Sequence, residues 1–439
     1  MLESIKFTNV GPAAKLSIEF AERTNIITGD NGLGKTFLLD TAWWALTRTW
    51  PEELNPKMTT GLKGRPRGTG DASIELALTG RTKSVHYVST YDRKREEWQG
   101  RAGRPTNPGM ILYAMVDGSF GVWDPARNYW MKSGGQDVQD RPAGYVFDPK
   151  SVWNGLDSAD GKVLCNGLVR DWASWQGSNA AVWETFASVL THLSPNEDEP
   201  LVPGELTRYS LEDVRDMPTL KTQYQDQVPI IHASAATKRI ASLAYLLMWS
   251  WQEHSRASQL LDQPPTREII FLVDELEAHL HPKWQRTILR ALMTVVRELA
   301  TEASVQLIAT THSPLVLASL EPDFDMATDA LFHFGLTKTN EVVVEQIPWA
   351  KQGDVSSWLV SDAFGFDQAR STDAERAIEA AEAFMRGDMA SLPVDLATKE
   401  TIHAELQRVL GGMDDFWPRW LVKADLLPAA VKAPKKARK

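Results

Sequence analysis

Gly29 to Thr36 reads G-x-x-x-x-G-K-T, inside the stretch "RTNIITGDNGLGKTFLLD". The glycines let a backbone loop approach an anion with its N–H groups turned inward, and the helix that follows adds its positive end. Lys35 is placed to reach the terminal phosphates of a nucleotide, and the Thr36 hydroxyl to ligate Mg2+. Gly29, Asp30, Asn31, Gly32, Leu33, Gly34, Lys35, Thr36 and Phe37 are therefore read as nucleotide-binding, with ATP and Mg2+ as the cofactors. Asp30 is the misfit, because a carboxylate beside phosphates repels them. Its side chain is expected to point away from the nucleotide.

A phosphate loop alone does not choose between classes of nucleotide enzyme; two later motifs do. "EIIFLVDELEAHLHP" sends five apolar residues into Asp274 and Glu275. A buried strand ending in two carboxylates puts Asp274 at the Mg2+ and Glu275 where it polarises an attacking water. "LIATTHSP" is a second buried strand, which delivers Thr310, Thr311 and His312 to its C-terminal end, with Ser313-Pro314 opening a helix. His312 is read as a contact to the terminal phosphate. The catalytic candidates are thus Glu275, His312 and Lys35; the metal candidates are Thr36 and Asp274. A separate metal site at Glu277, His279 and His281 lacks a further ligand.

The elements that must carry these residues follow from pattern and punctuation. Residues 2–8 and 23–28 read as strands, and 36–50 as a helix ended by Pro51. Four short runs within 72–125 read as an antiparallel sheet. Residues 151–225, rich in Trp and Pro, read as a small helical lobe. From Val228 the α/β pattern returns: "VPIIHA" as a strand, 237–261 a helix, the Asp-Glu strand, 283–300 a helix, the histidine strand, then a hairpin. Two helices close the chain, the first with a capping box from Thr372 and Glu375 and a stop at Gly387. The divisions expected are 1–150, 151–227, 228–350 and 351–439.

Composition bounds the partners. Hydrophobic residues make up 43% and charged residues 24% of 439, with a net charge of −10. That is an ordinary globular composition, and it counts against a general polyanion-binding surface. No apolar run has membrane-spanning length, and a single cysteine, Cys165, fits a reducing cytoplasm. Two basic stretches stand apart, residues 61–104 and the C-terminal "KAPKKARK". Solvated surface is the favoured reading of both over nucleic-acid contact.

The order of P-loop, long insertion, Asp-Glu strand and histidine strand resembles the ABC-type ATPase heads shared by SMC-like proteins, RecF and the overcoming-lysogenisation-defect proteins. The resemblance implies an α/β P-loop NTPase of ABC-ATPase head type. Such a head has a mixed central sheet flanked by helices, an antiparallel β-subdomain, a helical lobe and a helical C-terminal extension. It also implies a homo-oligomer, at least a head-to-tail dimer, in which a signature segment of one subunit completes the site of the other. Here that segment is Ser234, Ala235, Ala236, Thr237, Lys238 and Arg239, where alanines stand in place of the usual glycines. By the same resemblance residues 277–282 form the D-loop between the two sites, and Lys6, Phe7 and Asn9 lie near the base. Gln99 is the nearest candidate for a glutamine-bearing loop. "GDNGLGKTFLLD", "VDELEAHLHPKWQR" and "TTHSPLVLASLEP" resemble more narrowly the AAA/ABC-type ATPase subunits of anti-phage systems, such as the PtuA component of Septu and the AriA component of PARIS. That implies a sensor governing a separately encoded effector protein, often a nuclease.

The one Asp-x-Asp after Thr311, Asp323 to Asp325, reads as a loop with no room for a metal-dependent nuclease fold before it, so no intrinsic nuclease is expected. Phe416, Trp417, Trp420 and Leu421 read either as core or as a docking surface for the partner. Two other functions stay open: a DNA-repair ATPase of RecF type, and a nucleotide-bound scaffold that hardly hydrolyses.

Overall fold

The computed structural model describes residues 1–80, 83–100, 106–133, 136–141, 143–222 and 227–424, apart from the side chains of residues 129 and 131–141. The basic C-terminal tail and Arg81, Arg101 and Arg104 of the basic stretch lie outside the described residues. Two compact units form. One spans Met1–Trp358 with Asp362–Phe364, the other Leu359–Ser361 with the chain from Gly365.

The first unit is built on an eight-stranded sheet. Its centre is five parallel strands, in the order Met110–Ala114, Glu268–Val273, Ser304–Thr310, Thr24–Gly29 and Asp329–Leu336. Phe120–Trp123 and Gly144–Phe147 extend one side, and Val342–Ile347 pairs antiparallel on the other. Strands covered on both faces need apolar residues at successive positions, and Ile269 through Val273 and Leu307 through Ala309 are all buried. Alternate residues then feed two cores. Ile269, Phe271, Val273, Leu307 and Ala309 join the core formed with the helices Leu168–Ser178, Ala180–His192, Ala235–Leu260 and Ile288–Leu299. Ile270, Leu272 and Ile308 join the opposite core, with the helix Lys35–Thr47 and a second sheet.

That second sheet is antiparallel, in the order Ala13–Glu19, Leu2–Val10, Ser73–Leu78, Val85–Asp92 and Glu97–Gln99. The helix after the P-loop lies in the core between the two sheets, which is why it is buried almost all round rather than on one stripe. Its Trp43 and Trp44, together with Trp50, are core residues, with Trp44 stacked on Trp50. Among the described residues no helix is long and apolar enough to cross a membrane.

Several expectations need correction. The runs within 72–125 do not form one antiparallel sheet. Ser73–Leu78 and Val85–Asp92 stay in the antiparallel sheet, whereas Met110–Ala114 enters the main sheet parallel to Glu268–Val273. "VPIIHA" is only a two-residue strand, Val228–Pro229, followed by a 3-10 turn, Ile230–His232. The helix expected over 283–300 is broken into Pro282–Gln285 and Ile288–Leu299.

In the second unit the helix Thr372–Arg386 is capped by Ser371, not Thr372. The Ser371 side chain accepts from Ala374 N, one residue earlier than the expected box. Phe416 and Trp420 are buried in this unit's own core, which removes both from a docking surface; Trp417 and Leu421 are half-buried beside it.

Candidate functional site

The P-loop begins where the strand Thr24–Gly29 runs out of the sheet. Gly29 has φ +126°, and a Cβ there would stand 2.2 Å from the carbonyl oxygen of Phe334, so only glycine fits. Gly34 has φ +100°, and a Cβ there would meet Pro12 at 2.4 Å. Between them Asp30, Asn31 and Gly32 are exposed, while Leu33 is buried as the loop's anchor. Phe37 packs edge-on against Phe7, whose own side chain is buried. Lys6 pairs with Glu75, and the Asn9 amide donates to Asp71 O at 2.7 Å, so both are held by the antiparallel sheet.

Two strand ends meet this loop. The Thr36 hydroxyl donates to Asp274 Oδ2 at 2.8 Å, and the Thr310 hydroxyl donates to Asp274 Oδ1 at 2.8 Å. Asp274 is 1% exposed, and burial raises its pKa above the ordinary carboxylate value. Both of its oxygens accept from hydroxyls, and the Lys35 charge nearby favours its ionised form. A hard cation with oxygen ligands fits this donor set of Thr36 and Asp274. Lys35 is also buried, donating from Nζ to Gly29 O and Asp30 O at 2.8 Å each. Burial lowers its pKa, against the attraction of Glu275, Asp274, Asp30 and Glu277.

Glu275 follows with φ +45°, unusual for a residue with a side chain, and its N–H donates to Thr310 Oγ1 at 2.8 Å. Strain of this kind costs on the order of 1–3 kcal/mol and collects at functional positions. His312 is half-buried, and burial first, then the charge of Lys35, lowers its pKa, so the neutral imidazole prevails at pH 7. Glu277 accepts from the Thr311 hydroxyl at 2.6 Å and from the His312 backbone N–H. His281 serves as a helix cap for Lys283 N. Glu277 and His281 thus have other partners than a shared metal.

The signature-like segment opens the helix Ala235–Leu260. Ser234 Oγ accepts from Thr237 N at 3.1 Å as its cap, with Ser234 and Ala235 exposed and Ala236 buried. Among the described residues no hydrogen bond joins Ser234, Ala235, Ala236, Thr237 or Lys238 to the P-loop. Arg239 turns inward, donating to Val116 O at 2.9 Å, with its pKa lowered by burial. Gln99 pairs at the edge of the antiparallel sheet and donates to Asp92 at 2.7 Å, outside the sheet that holds the P-loop. The element that does run beside the Asp274 strand is Met110–Ala114, which continues into Val116 and Asp117.

Sequence reasoning missed the bridging part of Thr310, the grip of Glu277, and Asp40. Asp40 lies one helical turn beyond Thr36, buried, and accepts from the Tyr113 hydroxyl at 2.8 Å. Burial pushes its pKa up to about 7. The unfolded group titrates near 4, so from about pH 4 to about pH 7 the fold keeps a proton that the unfolded chain has lost. Stability therefore falls with rising pH across that window, by up to about 1.4 kcal/mol per pH unit. Asp40→Asn keeps an acceptor for Tyr113 and is expected to flatten this decline in urea midpoints. A variant as pH-sensitive as the wild type would place the proton elsewhere.

Two family models match the chain. One, described as "AAA domain, putative AbiEii toxin, Type IV TA system", covers residues 186–318. The other, described as "AAA domain", covers residues 4–107. The chain is also 21% identical over 382 residues to the Septu protein PtuA of Bacillus thuringiensis, covering 84% of this chain and 86% of that protein. The chain resembles AAA-family and ABC-type ATPase heads. Its sheet order, P-loop and second antiparallel sheet fit the α/β fold of an ABC-ATPase head. A shorter match is the Retron Vc95 probable ATPase of Vibrio cholerae serotype O1 biovar El Tor, 43% identical over 60 residues, 14% of this chain and 10% of that protein. Among solved structures, the SMC head domain from Thermotoga maritima aligns with a TM-score of 0.39 at 14% identity, covering 79% of this chain and 99% of that one.

Proposed function

We propose that the chain binds Mg·ATP and hydrolyses it at composite sites between two facing copies, and that the resulting change of assembly governs a separately encoded effector in anti-phage defence. The observation that carries the ATPase reading is the ladder Thr36–Asp274–Thr310, with Lys35 and Glu275 beside it. Bound Mg2+ would be held by Thr36 and Asp274 and would neutralise charge on the terminal phosphates. Lys35 binds and orients the same phosphates. Glu275 takes the proton of the attacking water, and the neutral His312 contacts the terminal phosphate as a hydrogen-bond donor. The exposed start of the helix Ala235–Leu260 offers its N–H groups to the phosphate of the facing copy. Similarity to the Septu protein PtuA and to a retron ATPase supports the defence role.

A DNA-stimulated ATPase is the second reading, and the partners of five described cations of the basic stretch argue against it. Arg67 donates to Pro12 O, Arg93 to Gly68 O and Gly70 O, and Arg65, Arg95 and Lys63 pair with Glu96, Asp92 and Glu53. Phosphate release by the purified full chain, with Mg2+ and with or without duplex DNA, tests the proposal. Turnover that needs Mg2+ and ignores DNA is expected. Absence of turnover with Mg2+ overturns the hydrolytic reading, and strong, salt-sensitive stimulation by DNA favours the second.

A further inference from the structure

His312 owes its backbone position to a side chain from another element. The strand Ser304–Thr310 ends with Thr311 N–H still paired, to Ile27 O at 3.0 Å. The next N–H, of His312, has left the sheet ladder, and the carboxylate of Glu277 takes it. Glu277 takes the Thr311 hydroxyl as well, and the same hydroxyl accepts from Ser313 N at 3.0 Å. The turn that carries Glu277 is tightly wound. Leu276 N–H donates to Thr310 O, Ala278 N–H to Glu275 O, and Leu280 N–H to Glu277 O, with Glu275 and His279 both at positive φ. Hydrogen bonds to a carboxylate are about twice as strong as neutral ones, so this clamp reinforces the join that Thr310 makes with Asp274 and Glu275, one residue pair further out.

We propose that Glu277 is a positioning residue for His312, fastening the turn after Asp274–Glu275 to the phosphate-contacting histidine. This rests on the reading that the chain hydrolyses ATP with Glu275 and His312. Glu277 touches no phosphate in this role. It fixes the direction in which the His312 side chain leaves the strand, so displacement of the turn becomes displacement of the imidazole.

Steady-state ATP turnover of the full chain tests this. Glu277→Ala is expected to lower kcat roughly 10- to 100-fold while changing KM less than about threefold, the scale for supporting groups around a reacting centre. Combined with His312→Ala it should cost no more than His312→Ala alone, because both remove one function. Glu277→Gln should recover to within about fivefold of wild type, since its oxygen accepts from His312 N–H and the Thr311 hydroxyl turns to accept from its amide. Glu277→Asp, should the alanine variant fail to fold, keeps the charge but withdraws the oxygens, and is expected to fall toward alanine. Multiplicative losses in the double variant, or a glutamine variant as poor as alanine, overturn the positioning role. Glu275→Gln serves as the control. Full turnover there removes Glu275 as the base and with it the reading on which this role rests, whereas low turnover there beside wild-type kcat in Glu277→Ala defeats only the role of Glu277.

Discussion

Glu275→Gln is expected to lower kcat roughly 100-fold or more while ATP still binds, because the carboxylate is used only when water is deprotonated. Its N–H is anchored to Thr310, and the residue itself sits at positive φ, so the backbone aims the side chain. Glutamine has nearly the same shape and keeps that aim, which separates loss of the base from loss of the fold. Binding of a fluorescent ATP analogue and single-turnover hydrolysis give the two readouts. Hydrolysis at the wild-type rate would assign the base to another group.

Lys35→Ala is expected to act at the opposite end of the cycle. Four carboxylates, those of Glu275, Asp274, Asp30 and Glu277, bear on this ammonium. Without it a triphosphate meets net negative charge, and the Gly29 and Asp30 carbonyls lose their donor. Affinity for Mg·ATP should weaken roughly 100-fold or more, about 3 kcal/mol. A calorimetric titration with Mg·ATP checks this, and affinity near the wild-type value would remove Lys35 from the phosphate site. The neighbouring Asp30 is exposed, whereas Lys35 takes only its carbonyl.

Much of this site was legible because its residues are constrained locally. Gly29 and Gly34 must adopt positive φ, a buried strand must precede Asp274, and a hydroxyl must follow Lys35, so residue type and spacing carry the information. What escaped depends on contacts far apart in the chain. Glu277 reads as one of several charges in a turn until Thr311 and His312 are brought to it. Asp40 reads as a helix residue until Tyr113 is laid against it. Met110–Ala114 is apolar on every residue, and such a run reads alike in an antiparallel hairpin and in the middle of a parallel sheet. Arg239 looked available to a facing subunit because sequence gives charge but not direction; the fold spends it on Val116 O. The cap of the helix Thr372–Arg386 slipped by one residue because Ser371 and Thr372 are both good caps.

Composite sites between two copies make one demand that a self-contained site does not: two inactive variants must rescue each other. Glu275→Gln spoils the site of its own chain. Ala235→Asp puts a negative charge on the exposed first turn of the helix Ala235–Leu260, where an acid suits the helix but repels a facing phosphate. Each variant alone should be nearly inactive. In an equal mixture half the pairs are mixed, and each mixed pair holds one intact site, so turnover should return to about a quarter of wild type. A mixture as inactive as its components, or full activity in Ala235→Asp alone, would contradict a site shared between two copies.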